Sequence, residues 1–143
     1  MSDHPMHGFV RAFCDALAAN NPSLMASLIA DNAEWTLYGP VDLFSFFGKR
    51  QGKTEILAML AEIGGALRLR GCDSERMLTT GKDAACMMRI TARDMRSGRT
   101  ISLRLALFAQ FADGQLHSLR GIFDTFDAVE QVLGRHIDLS AVA

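Results

Sequence analysis

Asp124 stands inside GIFDTFDAVEQVLG, residues 121–134, where an extended run gives way to a helical one. A carboxyl group at such a joint has two uses. It can accept a backbone N–H at the first turn of the helix, where the dipole favours negative charge. It can also carry a proton, provided that burial raises its pKa towards neutrality. The Asp-Thr-Phe-Asp order ahead of an apolar helical run suits the first use, and the two can coexist. His117, seven residues upstream on the same extended run, would lie roughly 23 Å away at about 3.3 Å per residue. It therefore reads as a pocket-floor or core histidine rather than a proton partner. His4 and His7 have i, i+3 spacing, but Pro5 intervenes and the sequence offers no third ligand beside them, so no metal is expected. His136 is near the end of the chain. Cys14, Cys72 and Cys86 are odd in number and lack CxxC spacing, so buried free thiols are expected. Cys14 also has no basic neighbour to activate it.

The elements that must position these groups follow from periodicity. Phe9, Val10, Phe13, Cys14 and Leu17 recur at helical spacing and stop at Asn20-Asn21-Pro22. A short second helix is expected over Leu24, Met25, Leu28 and Ile29. Glu34 to Tyr38 reads as a strand closed by Gly39-Pro40. A third helix runs from about Lys53 to Ile63, with Gly64-Gly65 stopping it. Strands are then expected over residues 67–80, 84–95, 99–111 and 115–123, joined at TGKD, RSG and ADG. In the third of these, Ile101, Leu103, Leu105, Leu107, Ala109 and Phe111 share one face, and Ser102, Arg104, Ala106, Phe108 and Gln110 the other. A final short helix covers Thr125 to Leu133 and ends at Gly134. Three helices, a long antiparallel sheet and a terminal helix predict an α+β fold with a curved sheet wrapped around the helices.

Composition limits the function classes. The chain has 143 residues, 49% of them hydrophobic, enough for one domain spanning residues 1–143 with a sizeable core. No apolar run approaches the length of about eighteen residues expected of a membrane span, and MSDHPMHGF lacks a secretory pattern. A cytoplasmic protein without membrane contact is expected. Residues 66–123 carry ten Lys or Arg against five acids, yet the arginines alternate with acids and turns, and no nucleic-acid-binding motif appears. GxSxG, Walker and GxGxxG patterns are also absent, so nothing in the chain calls for a nucleotide or other cofactor.

The element order, together with SLIADNAEW, GKRQGKTEIL, the Asp-Gly turn and GIFDTFDAVEQVLG, resembles the NTF2-like superfamily of cone-shaped α+β domains, and within it the SnoaL-like polyketide cyclases. The resemblance spans Phe9 to Gly134. In the ketosteroid isomerase branch a helix tyrosine and two strand aspartates do the chemistry. Gap-free matching places those positions on Phe13, Leu37 and Leu107, and hydrocarbon side chains cannot supply that chemistry. The paired Arg and Asp of limonene-epoxide hydrolases have no counterpart either, since Ala106 follows Arg104 two along. The SnoaL-like pattern, with its aspartate closing the last strand ahead of a QLG-like helix end, corresponds to Asp124 and Gln131-Val132-Leu133-Gly134. By that resemblance Asp124 would be the acid/base of a cyclase, isomerase or lyase acting on a polyketide-like carbonyl compound.

The resemblance also implies a cone holding a small apolar molecule. Phe13, Trp35, Leu37, Tyr38, Phe47, Met88, Leu107, His117, Leu119 and Phe123 are the expected contacts. Phe44, Phe46 and Phe47 read as a lid over the cone, as its plug, or as a contact with a second subunit. A homodimer is expected through the outer sheet face bearing Arg104, Phe108 and Arg120. The alternative function is a non-catalytic ligand-binding or dimerisation module.

Overall fold

The structure, a computed structural model, describes residues 4–140. Helix α1 (Pro5–Ala19) buries Met6, Phe9, Val10, Phe13, Ala16 and Leu17 along one stripe. His4 caps it, with Nδ1 accepting the Met6 N–H at 3.1 Å and the ring edge-on to Phe111 at 5.6 Å. One member of the His4/His7 pair is thus committed to a helix start. Asn20 closes α1 in the left-handed conformation (φ 49°). Pro22–Leu28 is a 3-10 turn rather than the expected second α-helix. Seven residues before a strand are too few to offset the cost of α-helix nucleation, and Ile29 already belongs to that strand.

The sheet has six strands in the order β2-β1-β6-β5-β4-β3, with ranges β1 Ile29–Tyr38, β2 Gly48–Gln51, β3 Leu67–Thr80, β4 Asp83–Asp94, β5 Thr100–Ala112 and β6 Gln115–Phe123. Between β2 and β3 lies α2 (Lys53–Ala66), and α3 (Thr125–Leu133) follows β6. The sheet is curved and unclosed. Neighbouring strands run antiparallel except β1 and β6, which pair in parallel, Trp35 opposite Leu119 and Leu37 opposite Gly121. Side-chain alternation has the same period in either direction, so this reversal is not encoded in it. β2, only four residues long, also gives no periodic signal.

The alternation expected for β5 is present in full: Ile101, Leu103, Leu105, Leu107, Ala109 and Phe111 are buried, while Arg104, Phe108 and Gln110 are exposed. The β5–β6 hairpin turns at Asp113-Gly114, both at positive φ (53° and 76°), as a two-residue primed turn demands. α2 runs through the expected stop at Gly64-Gly65 to Ala66. Gly64 serves close approach instead, because the Asn20 side chain occupies the place where a Cβ would stand.

The cysteines differ from expectation. Cys14 on α1 and Cys72 on β3 form a disulfide, with Cα atoms 5.8 Å apart, and only Cys86 is a buried free thiol. Partners separated by 58 residues meet because α1 lies across β3, a contact that sequence spacing does not reveal. Among the described residues no helix is long and apolar enough to cross a membrane.

Candidate ligand cavity and the Asp124 groove

Between the inner face of the sheet and the helices lies a cavity of about 30 Å3. Phe13 and Leu17 of α1, Ile63 of α2, and Trp35 and Leu37 of β1 form one side. Leu67, Leu69, Ile90, Leu103, Leu105, Leu107 and Phe123 of the other strands form the rest, and Phe46 reaches in from the segment between β1 and β2. No ionisable side chain lines it. A water needs about 10–15 Å3 of such space and two or more polar partners, so a cavity walled this way stays dry. Phe13, Leu37 and Leu107, the three positions matched to the isomerase's polar groups, all lie on this wall.

Residues 40–47 close one side. Phe44, Phe46 and Phe47 are buried, with the first two rings stacked at 4.9 Å and Phe47 edge-on to Phe123 at 5.2 Å. Arg96, from the β4–β5 connection, holds the segment from outside. Its Nη2 donates to the Leu43 carbonyl at 2.7 Å, and its guanidinium lies 5.9 Å from the Phe44 ring centre. Asp94, the only fully buried charged residue among those described, orders that connection by accepting the N–H groups of Arg96 and Ser97, both at 3.3 Å.

The other expected contacts are dispersed. Phe47, Met88 and Leu119 belong to the buried core without forming the cavity wall. Tyr38 is 48% exposed. His117 is half-buried and falls at the irregularity where β6 slips against β5, between Ser118 opposite Gln110 and Leu116 opposite Phe111. It does not reach the cavity wall.

Asp124 is exposed and caps α3, its Oδ1 accepting the Asp127 N–H at 3.1 Å. It borders a separate groove of about 400 Å3 on the outer face, lined also by Arg89, Ser102, Arg104, Asp127 and Gln131. Glu75 pairs there with Arg104 at 3.1 Å and Arg89 at 3.7 Å. Gln131 fixes the helix in place. Its Oε1 accepts the Ser102 N–H at 2.7 Å, and its Nε2 donates to the Ser102 carbonyl at 2.8 Å. Ser102 lies beyond the end of β6, so the amide substitutes for a missing strand neighbour. Phe123 lines both the groove and the cavity.

Sequence reasoning did not select Arg89, Ser102 or Asp127, nor most of the leucine wall. Strand alternation marks those leucines as inward-facing, but not which of them border a void.

A family model for the SnoaL-like domain matches residues 10–118. The chain belongs to the SnoaL-like domain family. Solved structures of the NTF2-like kind share its fold. A Rhodopseudomonas palustris protein named as a candidate isomerase is 41% identical over 94% of this chain and 100% of its own, with a TM-score of 0.88. An NTF2-like protein of unknown function from Burkholderia pseudomallei is 16% identical, covering 92% of this chain and 98% of its own, with a TM-score of 0.75. A candidate SnoaL-like polyketide cyclase from Jannaschia Sp. CCS1 is 14% identical, covering 92% and 95%, with a TM-score of 0.73. No match was found among curated proteins.

Proposed function

We propose that this SnoaL-like protein encloses a small hydrophobic molecule in its inner cavity. The observation that carries this reading is the wall itself, made of aromatic and aliphatic side chains with no ionisable group. An apolar occupant gains about 25 cal/mol per Å2 of surface removed from water, and no charge has to be desolvated to admit it. Phe13, Trp35, Leu37, Leu107 and Phe123 are the sequence-expected contacts on that wall. Binding without proton transfer is the function this geometry supports best.

Xenon, small and apolar, tests the reading directly, since dry apolar cavities take it up. Xenon NMR should register uptake by the native protein, and Leu103→Phe, which fills the space, should abolish it. Uptake that persists in Leu103→Phe would place the gas elsewhere and remove the support for this cavity.

A second reading rests on the candidate isomerase from Rhodopseudomonas palustris, at 41% identity. In it, Asp124 exchanges a proton with a polyketide-like carbonyl compound, entering through the groove whose boundary with the cavity is Phe123. Asp124→Asn keeps the cap and removes the proton. Unchanged turnover of such compounds in that variant would eliminate Asp124 as acid/base.

The outer sheet face is assigned to self-association. Met87, Ala106, Ile122 and Tyr38 stand in register across four strands, beside Phe108, which is 52% exposed. A contiguous apolar patch of this kind supports a protein interface.

A further inference from the structure

At the end of β6, Arg120, Ile122 and Asp124 follow one another on the outer face, a cation, an apolar residue and an anion, all exposed. Arg120 and Asp124 are four residues apart, roughly 13 Å along an extended chain. Neither belongs to an ion pair among the described residues. The same order crosses the neighbouring strands as three rows. Met87, Ala106, Ile122 and Tyr38 form the middle row. Ala85, Phe108, Arg120 and Thr36 stand in register on one side of it. On the other side Arg89 is opposite Arg104, and the Asp124 N–H donates to the Arg104 carbonyl at 3.5 Å.

We propose that the outer face pairs two copies about a twofold axis running across the strands along the middle row, so that Asp124 of each copy receives the partner's Arg120. The inference rests on the self-association reading above and fixes its geometry. Rotation about such an axis keeps each strand over its own counterpart and reverses its direction. The middle row then meets itself, apolar on apolar, and the flanking rows exchange. Phe108 comes to lie over the partner's Arg104, where a guanidinium is attracted to the ring face. A contact between identical surfaces must be complementary to itself, and the other axes fail that requirement. One along β5 or β6 lays Arg104 or Arg120 against itself. One between those strands offers Asp124 the partner's Arg104, which Glu75 already holds through two hydrogen bonds at 3.1 and 3.4 Å, and leaves Arg120 without an anion. The transverse axis also completes the groove, because the partner's Arg120 closes its open side and a molecule entering beside Asp124 meets both copies.

Charge reversal tests the pairing. Arg120→Glu and Asp124→Lys, each purified alone, set like charges opposite each other twice per dimer and should weaken association roughly tenfold or more in sedimentation equilibrium. Mixed in equal amounts they should associate as the native protein does, because each heterodimer regains two opposite pairs. The mixture also controls for folding, since chains that fail alone must succeed together. Asp124→Asn, which keeps the helix cap, serves as a second partner: mixed with Arg120→Glu, it should associate more tightly than Arg120→Glu alone. Single variants that dimerise as tightly as native protein, or mixtures no tighter than their components, would overturn the pairing and leave self-association standing. A loss confined to Asp124→Lys would also overturn it and move the axis to between β5 and β6. Native protein that stays monomeric at every concentration would instead overturn the self-association reading itself.

Discussion

Asp124 can be understood from its hydrogen bond. Its carboxylate accepts the Asp127 N–H and stays exposed, which stabilises the start of α3 whether or not it moves a proton. Asp124→Ala should therefore lower stability by about 1 kcal/mol in urea unfolding, while Asp124→Asn, which caps equally well, should stay within a few tenths of that unit. A large loss in the asparagine variant would mean that the charge, not the cap, is what α3 needs. The cap was legible in the sequence because it depends on residues at most three apart. The position of Asp124 on the outer side of the sheet was not, because that depends on where β6 ends relative to β5. The same contrast holds for Trp35. Its inward orientation follows from alternation, but that its buried Nε1–H finds no hydrogen-bond partner depends on everything packed around it.

Among the elements, α3 stays on the sheet through Gln131 and two apolar anchors, Ala128 and Val132. Gln131→Leu keeps the volume and strips both hydrogen bonds to Ser102, leaving that backbone without its partner. A loss of about 1–2 kcal/mol in unfolding free energy is expected, and an unchanged midpoint would show that water replaces the amide fully. The Gln-Val-Leu-Gly run thus has a structural role that its resemblance to a family pattern did not specify. The segment 40–47 gave the opposite kind of signal. Its aromatic run was conspicuous, yet the sequence left lid, plug and subunit contact open. The structure packs the three rings inward and ties the segment down through Arg96, a residue from a hairpin tip more than fifty positions away.

At the scale of the whole molecule, the two sheet faces differ in kind. The inner face is closed by helices, while the outer face carries Phe108 and Ile122, each at least half exposed. If that face pairs two copies, Ile122→Glu should shift the protein towards monomer in sedimentation equilibrium, because two copies would then place like charges in an apolar patch. Leu24→Glu, on the 3-10 turn and already 46% exposed, should leave the distribution unchanged. A native protein that is monomeric at every concentration would dismiss the assignment.

What the sequence determined by itself was local. The identity of the three α-helices and of the strands other than β2, the faces of β5, the primed turn at Asp113-Gly114 and the cap at Asp124 all depend on the repeat of one element or on neighbours a few residues apart. Only the tertiary structure decided the parallel pairing of β1 with β6, the Cys14–Cys72 bond, the small size of the cavity and the isolation of the Trp35 N–H. Each of these depends on groups far apart in the chain arriving within a few ångströms of one another. Residue order constrains such meetings only through the packing of the entire core.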